Sequence, residues 1–216
     1  LLQRVGAEAA IEQYERNLDS PWTNARSRAE TYFSMGVAEE RRGKPESAAA
    51  RYEACLELEP RNVKALGNLG LLRLKEKKYT DAAALLDRAL EAAPTSAQAR
   101  LNRALVHLAQ GQGEGAVKVL RAGVEAVPED ASLRVALGDV LAGLRRTSDA
   151  LVEYSEAVRV APRSVEARMR LGNALLSAGR AIEAQHEFEE VLKIAPDRRD
   201  AKEALERARA AQATGG

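Results

Sequence analysis

Pro60, Pro94, Pro128, Pro162 and Pro196, five of the chain's seven prolines, fall 34 residues apart without exception. A strict period of that length means one supersecondary unit copied and stacked, so the period fixes the architecture before any single residue does. Lined up on these prolines, five units run 29–62, 63–96, 97–130, 131–164 and 165–198. Position twenty is alanine in all of them: Ala48, Ala82, Ala116, Ala150 and Ala184. Position eight is small (Gly36, Gly70, Ala104, Gly138, Gly172), and position twenty-four is large (Tyr52, Leu86, Leu120, Tyr154, Phe188). Small against large is how two antiparallel helices approach closely and still fill the space beside them.

The punctuation agrees. Asn62, Ser96, Asp130 and Ser164 each close a unit and can accept from the free N–H groups of a helix start. Gly43, Gly111 and Gly179 fall in mid-unit, where a first helix has to stop and turn. Each periodic proline ends a second helix, because it lacks an N–H and restrains the residue before it. The unit is therefore helix, turn, helix, loop, and no stretch shows the two-residue alternation of a strand.

The pattern resembles the tetratricopeptide repeat. In the second unit the residues that carry the likeness are Leu66, Leu69, Gly70, Tyr79, Ala82, Leu86, Ala89 and Pro94. The resemblance implies an all-α, right-handed superhelical solenoid of antiparallel helix pairs. It also implies a non-catalytic scaffold or adaptor for another protein, with no cofactor.

Composition narrows the function further. Lys and Arg total 33 against 32 Asp and Glu, a net charge of +1, which argues against a nucleic-acid partner. No run of about 18 apolar residues suggests a membrane span. A single cysteine excludes an internal disulfide and a cysteine-built metal site, and Cys55 reads as a buried structural thiol. Gly111, Gly113 and Gly115 follow a helix rather than a strand and lack the Lys-Ser/Thr ending of a phosphate loop. His107 and His186 lie in different units without metal-ligand spacing. No nucleophile, base and orienting group come together, so the chain does not read as an enzyme.

The ends depart from the repeat. Residues 1–28 read as a half unit, a helix with Ala10 and Tyr14 facing inward, followed by a connection at 18–28 that contains Pro21 and Trp22. Residues 199–216 read as a capping helix, with Ala201, Ala204, Leu205 and Ala208 on one side, and a short tail. The start at Leu1 reads as a piece of a longer or processed protein, and the compartment, cytoplasm or cell envelope, stays open.

The resemblance places partner binding on a concave groove lined by the first helix of each unit. Carried over by position, its apolar floor is Phe33, Val37, Leu71, Leu101, Leu105, Val135 and Met169. Those positions are expected to be spare to the helix-pair core. Asn68, Asn102 and Asn173 are expected to pair with the backbone of a bound peptide, since an amide both donates and accepts. Lys64 and Arg170 would receive acidic groups, and Asp139 and Glu30 put negative charge on the same surface. Adaptors of this family that clamp a C-terminal carboxylate use lysine and asparagine at positions five and nine of one unit, and no unit here has that pair. Position eleven of the first two units, Glu39 and Arg73, predicts an ion pair between repeats. A self-assembling protein that pairs its half unit copy to copy is the alternative to an adaptor, and a domain of a larger protein, such as one associated with the envelope or with pilus or secretion machinery, is a third reading.

Overall fold

The computed structural model describes residues 2–18 and 24–214, and these form twelve α-helices. Pro21 and Trp22 lie outside the described residues, as does the tail beyond residue 214. In order the helices are α1 (Leu2–Leu18), α2 (Ala25–Arg41), α3 (Pro45–Leu58), α4 (Val63–Lys75), α5 (Tyr79–Ala92) and α6 (Ala97–Ala109). They continue as α7 (Gly113–Ala126), α8 (Ala131–Gly143), α9 (Thr147–Val160), α10 (Val165–Ser177), α11 (Ala181–Ile194) and α12 (Arg199–Thr214). No strand occurs among the described residues, and the fold is an all-α helical repeat solenoid. The chain divides into two compact units, Leu1–Gln110 and Gly111–Gly216, each with its own helix pairs.

Capping follows the sequence closely. The side chains of Asn62, Ser96, Asp130 and Ser164 accept from backbone N–H groups of Ala65, Ala99, Leu133 and Ala167 at 3.0–3.2 Å. Asn24 does the same for α2, accepting from Ser27 at 2.9 Å. These caps sit only on the first helix of each pair. The second helices of the pairs have no side-chain cap, and α3 starts on Pro45 instead, whose missing N–H costs nothing there.

The mid-unit turn uses one conformation throughout. Gly43, Gly111 and Gly179 have φ of 74°, 71° and 76°, and Lys77 and Arg145 take the same left-handed place at 60°. The following residue closes the turn: Lys78 donates its N–H to the Arg73 carbonyl and Arg146 to that of Leu141, both at 2.9 Å. These are the bonds that satisfy the orphan carbonyls of a helix end.

Packing inside a pair is set by positions eight and twenty-four. A Cβ added at Gly36 or Gly138 would lie 2.5 Å from the ring of Tyr52 or Tyr154. At Gly172 it would lie 2.6 Å from Phe188. Tyr52, Leu86, Leu120, Tyr154 and Phe188 are all at most 3% exposed. Side chains of this size, fully buried, contribute roughly 1.5–3 kcal/mol each and hold the pairs shut.

Three features differ from the sequence reading. Glu39 is buried, but its partner is Arg42 at 3.2 Å, one turn on, and Arg73 turns to Glu53 at 2.6 Å and Glu76 at 3.1 Å. Each charge finds a nearer partner, so the expected Glu39–Arg73 pair is not made. In α1 the buried residues are Ala7 and Ile11, packed with Met35 and Ala38 of α2, while Ala10 and Tyr14 are half-buried. The third is a recurrent arginine at position four, which the sequence reading passed over. Arg100, Arg134 and Arg168 each donate to the carbonyl of the proline six residues before, at 2.7–3.1 Å.

The C-terminal helix α12 packs on α11 through Ala201, Ala204, Leu205 and Ala208, all buried, and Arg209 pairs with Glu189 at 3.1 Å.

Candidate interaction surface

In the unit Leu1–Gln110 the residues expected to line the groove sit on α2, α4 and α6, the first helices of the repeats. Phe33, Val37, Leu71 and Leu101 are half-buried there, and Leu105 is 47% exposed. Phe33 leans on Tyr52 with ring centroids 5.8 Å apart. A cleft of about 710 Å³ runs beside it, lined by Ala7, Ala10 and Tyr14 of α1 and by Phe33, Val37 and Arg41 of α2. A second cleft, about 500 Å³, continues from Phe33 toward Glu59, Asn62 and Lys64.

The polar residues of this face are not equivalent. Asn68 is half-buried and donates through Nδ2 to the Tyr52 hydroxyl at 3.0 Å, and that hydroxyl donates to Glu40 at 2.7 Å. Burial pushes the Tyr52 phenol above its ordinary range, and the hydrogen bond to Glu40 adds to it. One amide hydrogen of Asn68 is thus used internally. Asn102 is 3% exposed, with Oδ1 accepting from Gln98 at 2.8 Å. Lys64 and Glu30 are exposed. Cys55 is fully buried behind this face, as expected, and burial pushes its thiol up to about 11.

The unit Gly111–Gly216 corrects part of the groove expected from position alone. Val135 is 7% and Met169 8% exposed, and Val135 packs with Ala157 and Ala167. Both are core residues here and leave the contact surface. Asp139 accepts from Tyr154 at 2.7 Å and pairs with Arg170 at 3.3 Å, so those two opposite charges are already matched. Burial, and then the bond to Asp139, raise the Tyr154 phenol above its ordinary range. Asn173 is exposed.

On this second unit a cleft of about 530 Å³ is lined by residues of α9, α10 and α11. It runs between α9 and α11, over Leu171 and Leu175 of α10. Ile182 is 69% exposed at its edge. Sequence reasoning missed it, although the signal was there: position eighteen is Glu46, Thr80, Glu114 and Ser148 in the other units. Among the described residues no group of three or more His, Cys, Asp or Glu is placed to hold a metal ion, and no helix is long and apolar enough to cross a membrane.

Comparison with known proteins now decides the family. One tetratricopeptide repeat model matches residues 33–97 and 135–199, and a second tetratricopeptide repeat model matches 73–138. The chain belongs to the tetratricopeptide repeat family. A search of curated proteins gives no significant match. Solved tetratricopeptide repeat structures match across most of the chain. A thermophilic protein of this family from Thermus thermophilus is 22% identical with a TM-score of 0.63, covering 83% of this chain and 98% of its own. YrrB, described as having an unusual peptide-binding site, is 22% identical with a TM-score of 0.58, over 93% and 99%. MamA of Desulfovibrio magneticus is 23% identical with a TM-score of 0.61, over 79% and 97%. At these identities the likeness is one of fold. Tetratricopeptide repeats serve protein–protein interaction and are generally non-catalytic.

Proposed function

We propose that the protein is a non-catalytic adaptor that holds an extended peptide of another protein along the face of α2, α4 and α6. One observation carries this reading. In the unit Leu1–Gln110 the apolar positions of that face stay open, with Leu105 about half exposed and Phe33, Val37, Leu71 and Leu101 partly so. Phe33 lines clefts of about 710 and 500 Å³, and Val37 the larger of the two, both large enough for side chains to enter. A contiguous apolar surface interrupted by a few amides is what a peptide site requires. The apolar anchors supply most of the affinity, and the amides set register by pairing with peptide backbone. That YrrB, with the same fold, has a peptide-binding site supports the class of ligand.

The test is capture from a native lysate by the chain and two variants of equal helicity. Leu71→Arg/Leu105→Arg is expected to lose the proteins that the parent retains. Val152→Arg/Ile182→Arg, which alters exposed residues of α9 and α11, is expected to keep them. The reverse pattern would move the site to the α9–α11 cleft.

A further inference from the structure

Helix α1 packs on α2 as the second helix of a preceding repeat would, with Ala7 and Ile11 against Met35 and Ala38. In that register Ala10 and Tyr14 take positions twenty and twenty-four. In the five full repeats the residues at both positions are at most 3% exposed, because the first helix of the same pair covers them. Among the described residues no such helix covers α1, and Ala10 and Tyr14 are only half-buried. A first helix in the full repeats packs on its own second helix and on the first helix of the next repeat, as α4 does on α5 and α6. The cleft of about 710 Å³ offers the same two walls, with Ala10 and Tyr14 on α1 and Phe33, Val37 and Arg41 on α2.

Two pairs inside the protein show what a helix seated there has to carry. Gly36 makes room for the Tyr52 ring, and Glu40, four residues on, accepts from its hydroxyl at 2.7 Å. Gly138 makes room for the Tyr154 ring, and Asp139, the next residue, accepts from its hydroxyl at 2.7 Å. Tyr14 holds the same position, yet its hydroxyl donates to no atom among the described residues. Arg41 is exposed at the cleft and makes no ion pair among them. No carboxylate lines the cleft, so its unmatched groups are donors and its charge is positive.

The source of such a helix is also constrained. In α1 the residues Arg4, Val5 and Gly6 are helical, at the register where each full repeat makes its mid-unit turn. A covering helix is therefore not joined to α1 by that turn. A second copy fits poorly. Its α12 has the register of a first helix and no second helix packed on it among the described residues, but its position eight is Glu206. The ring at position twenty-four needs glycine or alanine there, since even a Cβ at Gly36 or Gly138 would lie 2.5 Å from it.

We infer that the α1–α2 cleft docks an amphipathic helix of another protein, which completes the half repeat. The helix sets glycine or alanine against the Tyr14 ring. An Asp or Glu one or four residues further on accepts from the Tyr14 hydroxyl, and Arg41 balances the charge. The inference does not rest on the extended-peptide reading, because Leu71, Leu101 and Leu105 do not line this cleft.

The experiment selects from a displayed library of alanine-rich helices randomised on one face. It uses the full chain, Tyr14→Phe, Ala10→Arg and Leu71→Arg/Leu105→Arg, all shown by circular dichroism to be equally helical. The expected helices carry glycine or alanine followed by Asp or Glu at the next or the fourth residue. Replacing that acid by Asn or Gln, or the parent chain by Tyr14→Phe, weakens binding about tenfold. Ala10→Arg, which fills the cleft, is expected to lose the helices, and Leu71→Arg/Leu105→Arg to keep them. If no helix is selected, if no acidic position emerges, or if Tyr14→Phe binds as tightly as the parent, the inference fails. Helices kept by Ala10→Arg and lost by Leu71→Arg/Leu105→Arg would belong to the α2–α4–α6 face and overturn it too, leaving the peptide groove intact. Concentration-dependent mass of the parent that Ala10→Arg abolishes would make a second copy the occupant and overturn it as well.

Discussion

The hydroxyl of Tyr154 donates to Asp139 across 2.7 Å, from a ring that is 3% exposed and pressed against Gly138. Tyr52 repeats the arrangement against Gly36 and Glu40. The ring fills the pair, and the hydroxyl ties the second helix back to a carboxylate on the first.

This geometry predicts an alkaline limit to stability. Both phenols are raised above the ordinary value of 10.0 by burial first and by their carboxylate acceptors next. Unfolded tyrosines therefore lose protons from about pH 10 while the folded ones keep theirs, and stability falls as pH rises. Each tyrosine contributes a slope of about 1.4 kcal/mol per pH unit in that window. Tyr52→Phe/Tyr154→Phe should cost about 1 kcal/mol per site near neutral pH, yet flatten the decline above pH 10 in urea titrations. An unchanged slope would mean the phenols ionise freely in the folded state.

Close packing at position eight predicts a coupled pair of mutations. Gly138→Ala places a methyl 2.5 Å from the Tyr154 ring and should cost about 1–3 kcal/mol of unfolding free energy. Adding Tyr154→Leu, the combination of small and large that the third repeat carries as Ala104 and Leu120, should recover part of that loss. Additive losses would place the strain elsewhere.

At the mid-unit turn the prediction is a gain. Lys77 and Arg145 hold φ of 60°, a conformation that costs a side-chain-bearing residue about 1–2 kcal/mol. Glycine returns some of this as unfolded-state entropy, so Lys77→Gly and Arg145→Gly should each stabilise by about 0.5–1 kcal/mol in thermal or urea unfolding. Loss of stability in both would contradict the turn geometry.

The buried Glu39 carboxylate depends on Arg42, which also reaches Glu8 of α1 at 3.3 Å. Arg42→Ala strands that carboxylate and should destabilise by roughly 3 kcal/mol. Arg42→Ala combined with Glu39→Gln should be milder than Arg42→Ala alone. Proteolysis between α1 and α2 should quicken in both variants, because the tie to Glu8 is gone.

The pair fold was legible in the sequence because its determinants are local and repeated. Asn62, Ser96, Asp130 and Ser164 cap within three residues, and Gly36 against Tyr52 recurs on the 34-residue period. The interaction surface was less legible. Whether position five is floor or core depends on how neighbouring helices close over it, and Val135 and Met169 are buried where Phe33 and Leu101 are half-buried. Charges were misread for a related reason: Arg73 reaches Glu53 and Glu76 before it can reach Glu39. Ile182 stood out only against its register, as an apolar side chain where the other repeats carry polar ones.

The central claim is that a peptide lies on α2, α4 and α6. A photo-crosslinking residue placed at Leu71 or, separately, at Val152 of α9 tests it directly, with the full chain incubated in native lysate. Adducts from position 71 that name a partner, and that a Leu105→Arg substitution abolishes, are the predicted result. Adducts from position 152 alone, or adducts at 71 that Leu105→Arg leaves unchanged, would contradict it.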